Sequence, residues 1–551
     1  MFPKIATSRL FNNSKFIIFF QWHSRIIALV SVVFLFHLAT LLRYPAPSCD
    51  ESFYMRSSAL YTQSIINGTQ WPPSGATFFL PHGRIYWLIL STSLTILGKT
   101  LFAARLISLL GLIGLVVATY AVGHICVSKR VGMWSAVLTS FAWLTFYSGH
   151  LARPDVVSAA TNTTLIALGF ITIRSRQPWA FFILGCLVIL QMDIHANSLH
   201  FVAPITLLAT FHTLHHRSWK SLILFWSGIL LGIVIYSSIH LSAFTLPMLY
   251  SLVARPTDSL GSYTGFQPHN LFATVFNSIS YQWGYFLNFV PLASLPQAIL
   301  FIIGLLYIPV SHNNQIAKLG FIILLSTITF GIINQGYQLV GYTLFWLPLY
   351  MVLGVAALDH LLGKAGLQFL RLSISSTLVF TCLAILYISG DIYLSRTSIY
   401  AIYQQEAREL SKDIPPNSRV LASSYWWMEM NRLYTFIDEH GLTDFGSGLW
   451  WNGLTDVTAE QLGAIREKQS AVTLSQQFPF EKLIGILQPK YIIDDSVIGC
   501  FPDKSAVSQT LTDYAQEHCQ LIQNFNSDFV RYYLFPPPAE TVQTLYKCRL
   551  P

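Results

Sequence analysis

The residues with chemistry to offer stand out because so little around them is charged. The first 390 residues hold only six carboxylates, Asp50, Glu51, Asp155, Asp193, Asp258 and Asp359, against 20 Lys and Arg. Asp50 and Glu51 are adjacent and directly follow an apolar run. Asp155 closes the triplet Arg153-Pro154-Asp155, Asp193 lies two residues before His195, His82 and Arg84 flank Gly83, and Arg105 sits near the start of another apolar run. A carboxylate can take a proton from a hydroxyl. A guanidinium presents a fork of donors to carboxylate or phosphate oxygens. Carboxylates near membrane depth are costly and concentrate where function needs them. Asp50, Glu51 and Asp155 lie at the outer ends of apolar spans and read as functional; Asp258, in a polar turn, reads as a solvated loop acid.

The elements that must position them are membrane helices. The chain has 551 residues, of which 53% are hydrophobic and 11% charged. That excludes a disordered chain, a coiled coil and an ordinary soluble enzyme. Runs long enough to cross the hydrocarbon core recur near 25–42, 102–124, 132–149, 156–173, 179–193, 199–214, 221–240, 296–310, 317–334, 337–356 and 372–390. These make about eleven helices. Their continuity argues against the short alternating strands of a barrel. The apolar run is long and lacks a small-residue cleavage site, so the N-terminus does not read as a signal peptide.

Charge divides the chain into two domains. Residues 1–390 form a basic membrane domain, and residues 391–551, with 13 basic and 19 acidic residues, form a soluble one. Thirteen Lys and Arg of the membrane part fall at the N-terminus and in alternate loops, and seven fall on the other side. The positive-inside rule then places the N-terminus in the cytoplasm and the tail outside, at a cell membrane. Two outer segments interrupt the spans, 43–101 and 241–295. The first carries a short apolar helix at 85–97, expected at the interface.

Several stretches resemble the GT-C glycosyltransferases, and within them the protein O-mannosyltransferase and aminoarabinose-transferase branch (glycosyltransferase family 39-like). The pair Asp50-Glu51 resembles that group's first outer-loop motif. Residues 81–106, PHGRIYWLILSTSLTILGKTLFAARL, resemble its segment leading into the second span. Residues 149–160, GHLARPDVVSAA, resemble its Arg-x-Asp motif, and Asp193-Ile194-His195 sits where the family often places a polar or basic residue. The resemblance covers roughly 45–200, and the later helices by topology alone. Gly83 and Arg84 replace prolines common in this motif, and the Glu-Lys-Pro triplet is absent.

The resemblance implies transfer of a sugar from a polyprenyl-phosphate-linked donor to an acceptor on the extracytoplasmic face, with inversion. On that basis Asp50 is the expected base, with Glu51 as helper, acceptor clamp or structural neighbour. Arg84, Arg153 and His82 are expected at the donor phosphate. Asp155, Arg105, Asp193 and His195 are expected to support the site or touch the acceptor. Arg105 pairs equally well with a carboxylate or snorkels, and a histidine at a helix end is more often a capping or packing residue. The partners implied are membrane lipid, the lipid-linked donor, and a glycan, lipid or protein acceptor. Nucleic acid is not among them. The donor is a substrate and no cofactor is implied. No Asp-x-Asp in the first loop, His-Glu-x-x-His or Cys-x-x-Cys supports a metal, and His212, His215 and His216 read as a basic interfacial loop. A lipid-linked-sugar flippase or an envelope assembly subunit is the alternative. Against the former, no internal repeat is evident and the acids gather at one face.

The tail reads as a small α/β domain. Strands are expected at 419–423, 434–438, 490–494 and 529–535, and helices at 399–412 and 505–518. Its aromatic stretch Tyr425-Trp426-Trp427 faces the membrane, an acceptor or a core. Cys49, Cys500, Cys519 and Cys548 lie outside, where disulfides persist, and their pairing stays open.

Overall fold

The computed structural model describes residues 13–43, 45, 47–67, 83–175, 177–240, 291–333, 340–364, 398–438, 487–494, 505–527 and 542–549. His82, Asp258, Cys382, Cys500, the expected span 372–390, the strand 529–535 and nearly all of the segment 241–295 lie outside the described residues.

The membrane part is helical. It comprises α1 (Asn13–Thr40), α2 (Cys49–Asn67), α3 (Arg84–Leu97), α4 (Leu101–Cys126), α5 (Lys129–Ser140), α6 (Trp143–Gly149) and α7 (Asp155–Ser175). It continues with α8 (Pro178–Leu190), α9 (Leu199–His215), α10 (Trp219–His240), α11 (Pro291–Tyr307), α12 (Asn314–Ile333) and α13 (Leu347–Lys364). Among the described residues four segments are long and apolar enough to cross a membrane: Leu101–Cys126, Asp155–Ser175, Trp219–Ser238 and Asn314–Gly331. Shorter apolar helices accompany them, including Ser24–Thr40 and Leu347–Gly363.

Local sequence explains the boundaries. Thr100 accepts from the Ala103 N–H to cap α4, and Ser128 accepts from the Val131 N–H to cap α5. Pro178 opens α8, where a missing N–H costs nothing. Glycines let α8 and α10 approach closely, since a Cβ at Gly185 would overlap the Phe225 carbonyl, and one at Gly228 the Phe182 carbonyl.

Two expected spans differ in detail. The run 132–149 is two helices, because the chain turns at Phe141 and Ala142, where Ala142 is extended (φ −66°, ψ 135°). Thr139 and Ser140 precede the break, and the Ser140 hydroxyl donates to the Ala136 carbonyl, the back-bonding that weakens helices. The run 337–356 contains a 3-10 segment, Val340–Phe345, ahead of α13.

The tail holds a mixed five-stranded sheet in the order β2-β1-β3-β5-β4. The strands are β1 (Arg419–Ala422), β2 (Thr435–Asp438), β3 (Tyr491–Asp494), β4 (Cys519–Asn526) and β5 (Val542–Cys548). β1 runs parallel to β2 and β3, and β5 runs antiparallel to β3 and β4. Among the described residues α14 (Ile399–Lys412), α15 (Ser505–His518) and a single helical turn, Trp427–Met430, accompany the sheet. Cys519 and Cys548 face each other in the β4–β5 register and form a disulfide.

The tail shares one core with α2 and α3. Tyr54, Met55, Tyr86, Trp87, Leu90 and Leu94 from α2 and α3 join Tyr403, Trp426, Trp427 and Phe436 of the tail in one buried cluster. The guanidinium of Arg56, on α2, lies 5.5 Å from the Trp427 ring centroid and 5.7 Å from that of Phe436, a cation–π geometry. The Ile399 N–H donates to the Arg43 carbonyl at 3.4 Å. The aromatic stretch of the tail is therefore core, packed toward the helix that carries Asp50 and Glu51.

Candidate functional site

Asp50 and Glu51 lie in the first turn of α2, where the helix N-terminus favours negative charge. Successive residues on a helix point about 100° apart, so the two side chains enter different surroundings.

Glu51 is fully buried. Its Oε1 accepts from Arg105 Nε at 2.8 Å and from the Ala152 N–H at 2.8 Å. Its Oε2 accepts from Arg105 Nη2 at 2.9 Å and from the Ser48 N–H at 3.0 Å. Four hydrogen bonds fill the acceptor capacity of a carboxylate. Arg105, equally buried, also donates Nη1 to the Leu41 carbonyl and Nη2 to the Pro45 carbonyl, each at 3.0 Å. The pair thus joins the end of α1, the start of α2, α4 and the loop before α7.

Asp50 stands in the open. Its side chain is 40% exposed, and Oδ2 accepts from Arg153 Nη1 at 2.6 Å. Arg153 in turn lies against Asp155, with Nε 2.8 Å from Oδ2. That second contact lacks hydrogen-bond alignment, and among the described residues Asp155 Oδ1 has no hydrogen-bond partner. Asp155 is buried and is the first residue of α7, again at a helix N-terminus. Two carboxylates therefore share one cation, one of them buried and one open. The Arg153 carbonyl accepts from the Ser108 hydroxyl at 3.3 Å.

The two constellations are linked through the chain: Glu51 adjoins Asp50, and Ala152, which Glu51 holds, adjoins Arg153. The sealed pair fixes the backbone on both sides of the open one.

His195 is buried beside this group, with Nε2 3.8 Å from Asp155 Oδ1. Its Nδ1 accepts from the Asn197 N–H at 3.0 Å. An imidazole that accepts at Nδ1 carries its proton on Nε2, facing Asp155. Burial pushes the imidazole down to about 4, with Asp155 opposing and Arg153 reinforcing. Its ring packs near Tyr342 and Phe345.

Asp193 and Arg84 meet through the backbone. The Arg84 N–H donates to Asp193 Oδ1 at 3.3 Å and the Ile85 N–H to Oδ2 at 2.9 Å, so Asp193 caps α3 from 109 residues away. Gly83 makes this possible, because a Cβ there would overlap the Asp193 backbone. The glycine that departs from the family pattern thus has a packing cause.

Tyr54 was not singled out in the sequence, although it lies four residues after Asp50 and so on the same helix face. It is buried. Burial raises its phenol well above the usual range; Arg153 opposes the rise, and Asp155 and Asp50 add to it. Tyr86 stacks edge-on against it, with ring centroids 5.7 Å apart. Among the described residues no group of three or more His, Cys, Asp or Glu gathers as a metal site would.

Comparison with known proteins adds to this geometry. Residues 82–256 match the family model of the dolichyl-phosphate-mannose-protein mannosyltransferases. The match takes in Arg84, Arg105, Arg153, Asp155, Asp193 and His195, and leaves Asp50 and Glu51 upstream. The chain is a membrane glycosyltransferase. The transferase is similar in structure to ArnT from Cupriavidus metallidurans bound to undecaprenyl phosphate. Identity there is 13% and the TM-score 0.58, over 96% of this chain and 98% of ArnT. The apo form of ArnT aligns with a TM-score of 0.55 at 14% identity, over 96% and 97% of the two chains. The oligosaccharyltransferase of Archaeoglobus fulgidus tethered to an acceptor peptide aligns with a TM-score of 0.50 at 12% identity, over 95% of this chain and 74% of that one. At such identities the likeness establishes the fold alone: a mostly helical, multi-pass, ArnT-like fold with a mixed-sheet tail. No protein of curated function matches it in sequence.

Proposed function

We propose that this glycosyltransferase moves a sugar from a polyprenyl-phosphate carrier to an acceptor hydroxyl at the membrane face that carries the tail. About eleven spans, a cytoplasmic N-terminus and an extracytoplasmic tail complete that reading, on the positive-inside bias. The carrying observation is the contrast at the start of α2. Glu51 is saturated, whereas Asp50 is 40% exposed and, among the described residues, holds one contact.

Asp50 is the base. The acceptor oxygen attacks the anomeric carbon, its proton passes to the Asp50 carboxylate, and the bond from that carbon to phosphate breaks with its electron pair leaving on the phosphate. One displacement of this kind inverts the anomeric carbon. Arg153 is the donor's phosphate ligand, with its guanidinium placed where charge develops. Arg84, the first residue of α3, and His82, two residues earlier in the sequence, are the further phosphate contacts. Asp155 holds Arg153, His195 faces Asp155, and Asp193 positions α3. Glu51 and Arg105 form the frame. The undecaprenyl phosphate bound to ArnT supports a carrier of that class here.

The test is transfer of label from a panel of polyprenyl-phosphate sugars into an acceptor extract, in membranes containing the full chain. Transfer from one donor identifies the sugar. Absence of transfer from every donor, with folded protein present, overturns the reading.

A further inference from the structure

Arg153 is held by two carboxylates of unequal standing. Asp155 is 8% exposed and sits at the N-terminus of α7, whereas Asp50 is 40% exposed and, among the described residues, accepts one hydrogen bond, from Arg153 at 2.6 Å. The Oδ2 lone pair that accepts from Arg153 Nη1 is occupied, so it cannot at the same time accept from a substrate hydroxyl. An anion entering from solvent reaches the exposed carboxylate first, and water there lowers the cost of parting it from Arg153, although its hydrogen bond is the aligned one of the two.

We propose that Arg153 is an exchange latch: the donor phosphate displaces Asp50 from Arg153 Nη1 and so releases Asp50 to act as the base. This inference rests on the roles given above to Asp50 and Arg153. No covalent bond changes in the exchange. The Nη1–H moves from Asp50 Oδ2 to a phosphate oxygen while Asp155 keeps the guanidinium in place. Proton transfer from the acceptor to Asp50 then accompanies bond formation at the anomeric carbon. The consequence is order: the base becomes competent only when the donor is present, which protects the site from idle proton chemistry. Asp155 is the positioning residue that makes exchange possible, since without it Arg153 would leave with its new partner.

The experiment measures binding of a short-chain polyprenyl phosphate to the full chain in detergent, beside transfer activity. Asp50→Asn is expected to slow transfer about 10²–10⁴-fold yet bind the phosphate about two- to fivefold more tightly, the scale of a partly exposed ion pair. In an Arg153→Gln background the same substitution is expected to leave affinity unchanged. Arg153→Lys serves where Arg153→Gln does not fold; its single ammonium facing Asp155 lacks the second edge that reaches Asp50, and the expected result is the same. Slowed transfer by Asp50→Asn with unchanged or weaker binding overturns the latch and leaves the proposed function standing. Equal tightening with and without Arg153 also overturns it, since direct repulsion between Asp50 and phosphate would then be the cause. Full transfer by Asp50→Asn defeats both the latch and the reading beneath it.

Discussion

Glu51 and Arg105 are both fully buried, and every acceptor position of the carboxylate is filled. Asp50, one residue earlier, is 40% exposed and holds Arg153, itself 17% exposed, through one hydrogen bond. Both are acid–arginine pairs between α2 and a later segment. Burial separates them: a sealed, saturated pair has no capacity left for a substrate, and an open, under-coordinated pair can trade partners. Because Glu51 also holds the Ala152 N–H, the frame sets the geometry of the group that can react.

This difference can be broken from either side. Glu51→Ala leaves the buried Arg105 uncompensated, which costs about 3–5 kcal/mol. Little folded protein is expected, and thermal unfolding in detergent measures the loss. Gly83→Ala drives a methyl into the Asp193 backbone, an overpacking worth about 1–3 kcal/mol; the same melts read it. Asp193→Ala removes the distant cap of α3 and is expected to cost about 0.5–2 kcal/mol, with a matching loss of protection at the Arg84 and Ile85 amides in hydrogen exchange. The smallest effect concerns pH. The folded His195 is held at about 4 against 6.5 in its ordinary state. Between those values the unfolded chain binds a proton that the folded chain does not, so stability falls as pH drops through that window. His195→Gln is expected to flatten the stability–pH curve there.

Much of the membrane part is legible in the sequence because long apolar runs have one stable form in lipid. α4, α7 and α12 lie within a few residues of the expected spans. The break at Phe141 is not legible, since a hydropathy run does not register the back-bonding of the Ser140 hydroxyl to the Ala136 carbonyl. In the tail, β1, β2 and β3 are apolar and legible. β4 is almost wholly exposed, with no alternation to read, and escapes. In the site, composition isolates the charged residues but cannot rank neighbours. Nothing in the dipeptide Asp50-Glu51 tells which side chain turns inward; Arg105, 54 residues on, decides it. The cap from Asp193 to α3 is invisible for the same reason, although Gly83 marked the place.

The most direct test sets Asp50→Asn beside Glu51→Gln, with unfolding temperature and label transfer from the active polyprenyl-phosphate sugar measured on both. The account predicts that Asp50→Asn melts like wild type and transfers about 10²–10⁴-fold more slowly, the usual contribution of a positioned base. It predicts that Glu51→Gln loses stability first, with activity falling in step. An Asp50→Asn enzyme that is folded and fully active would contradict it.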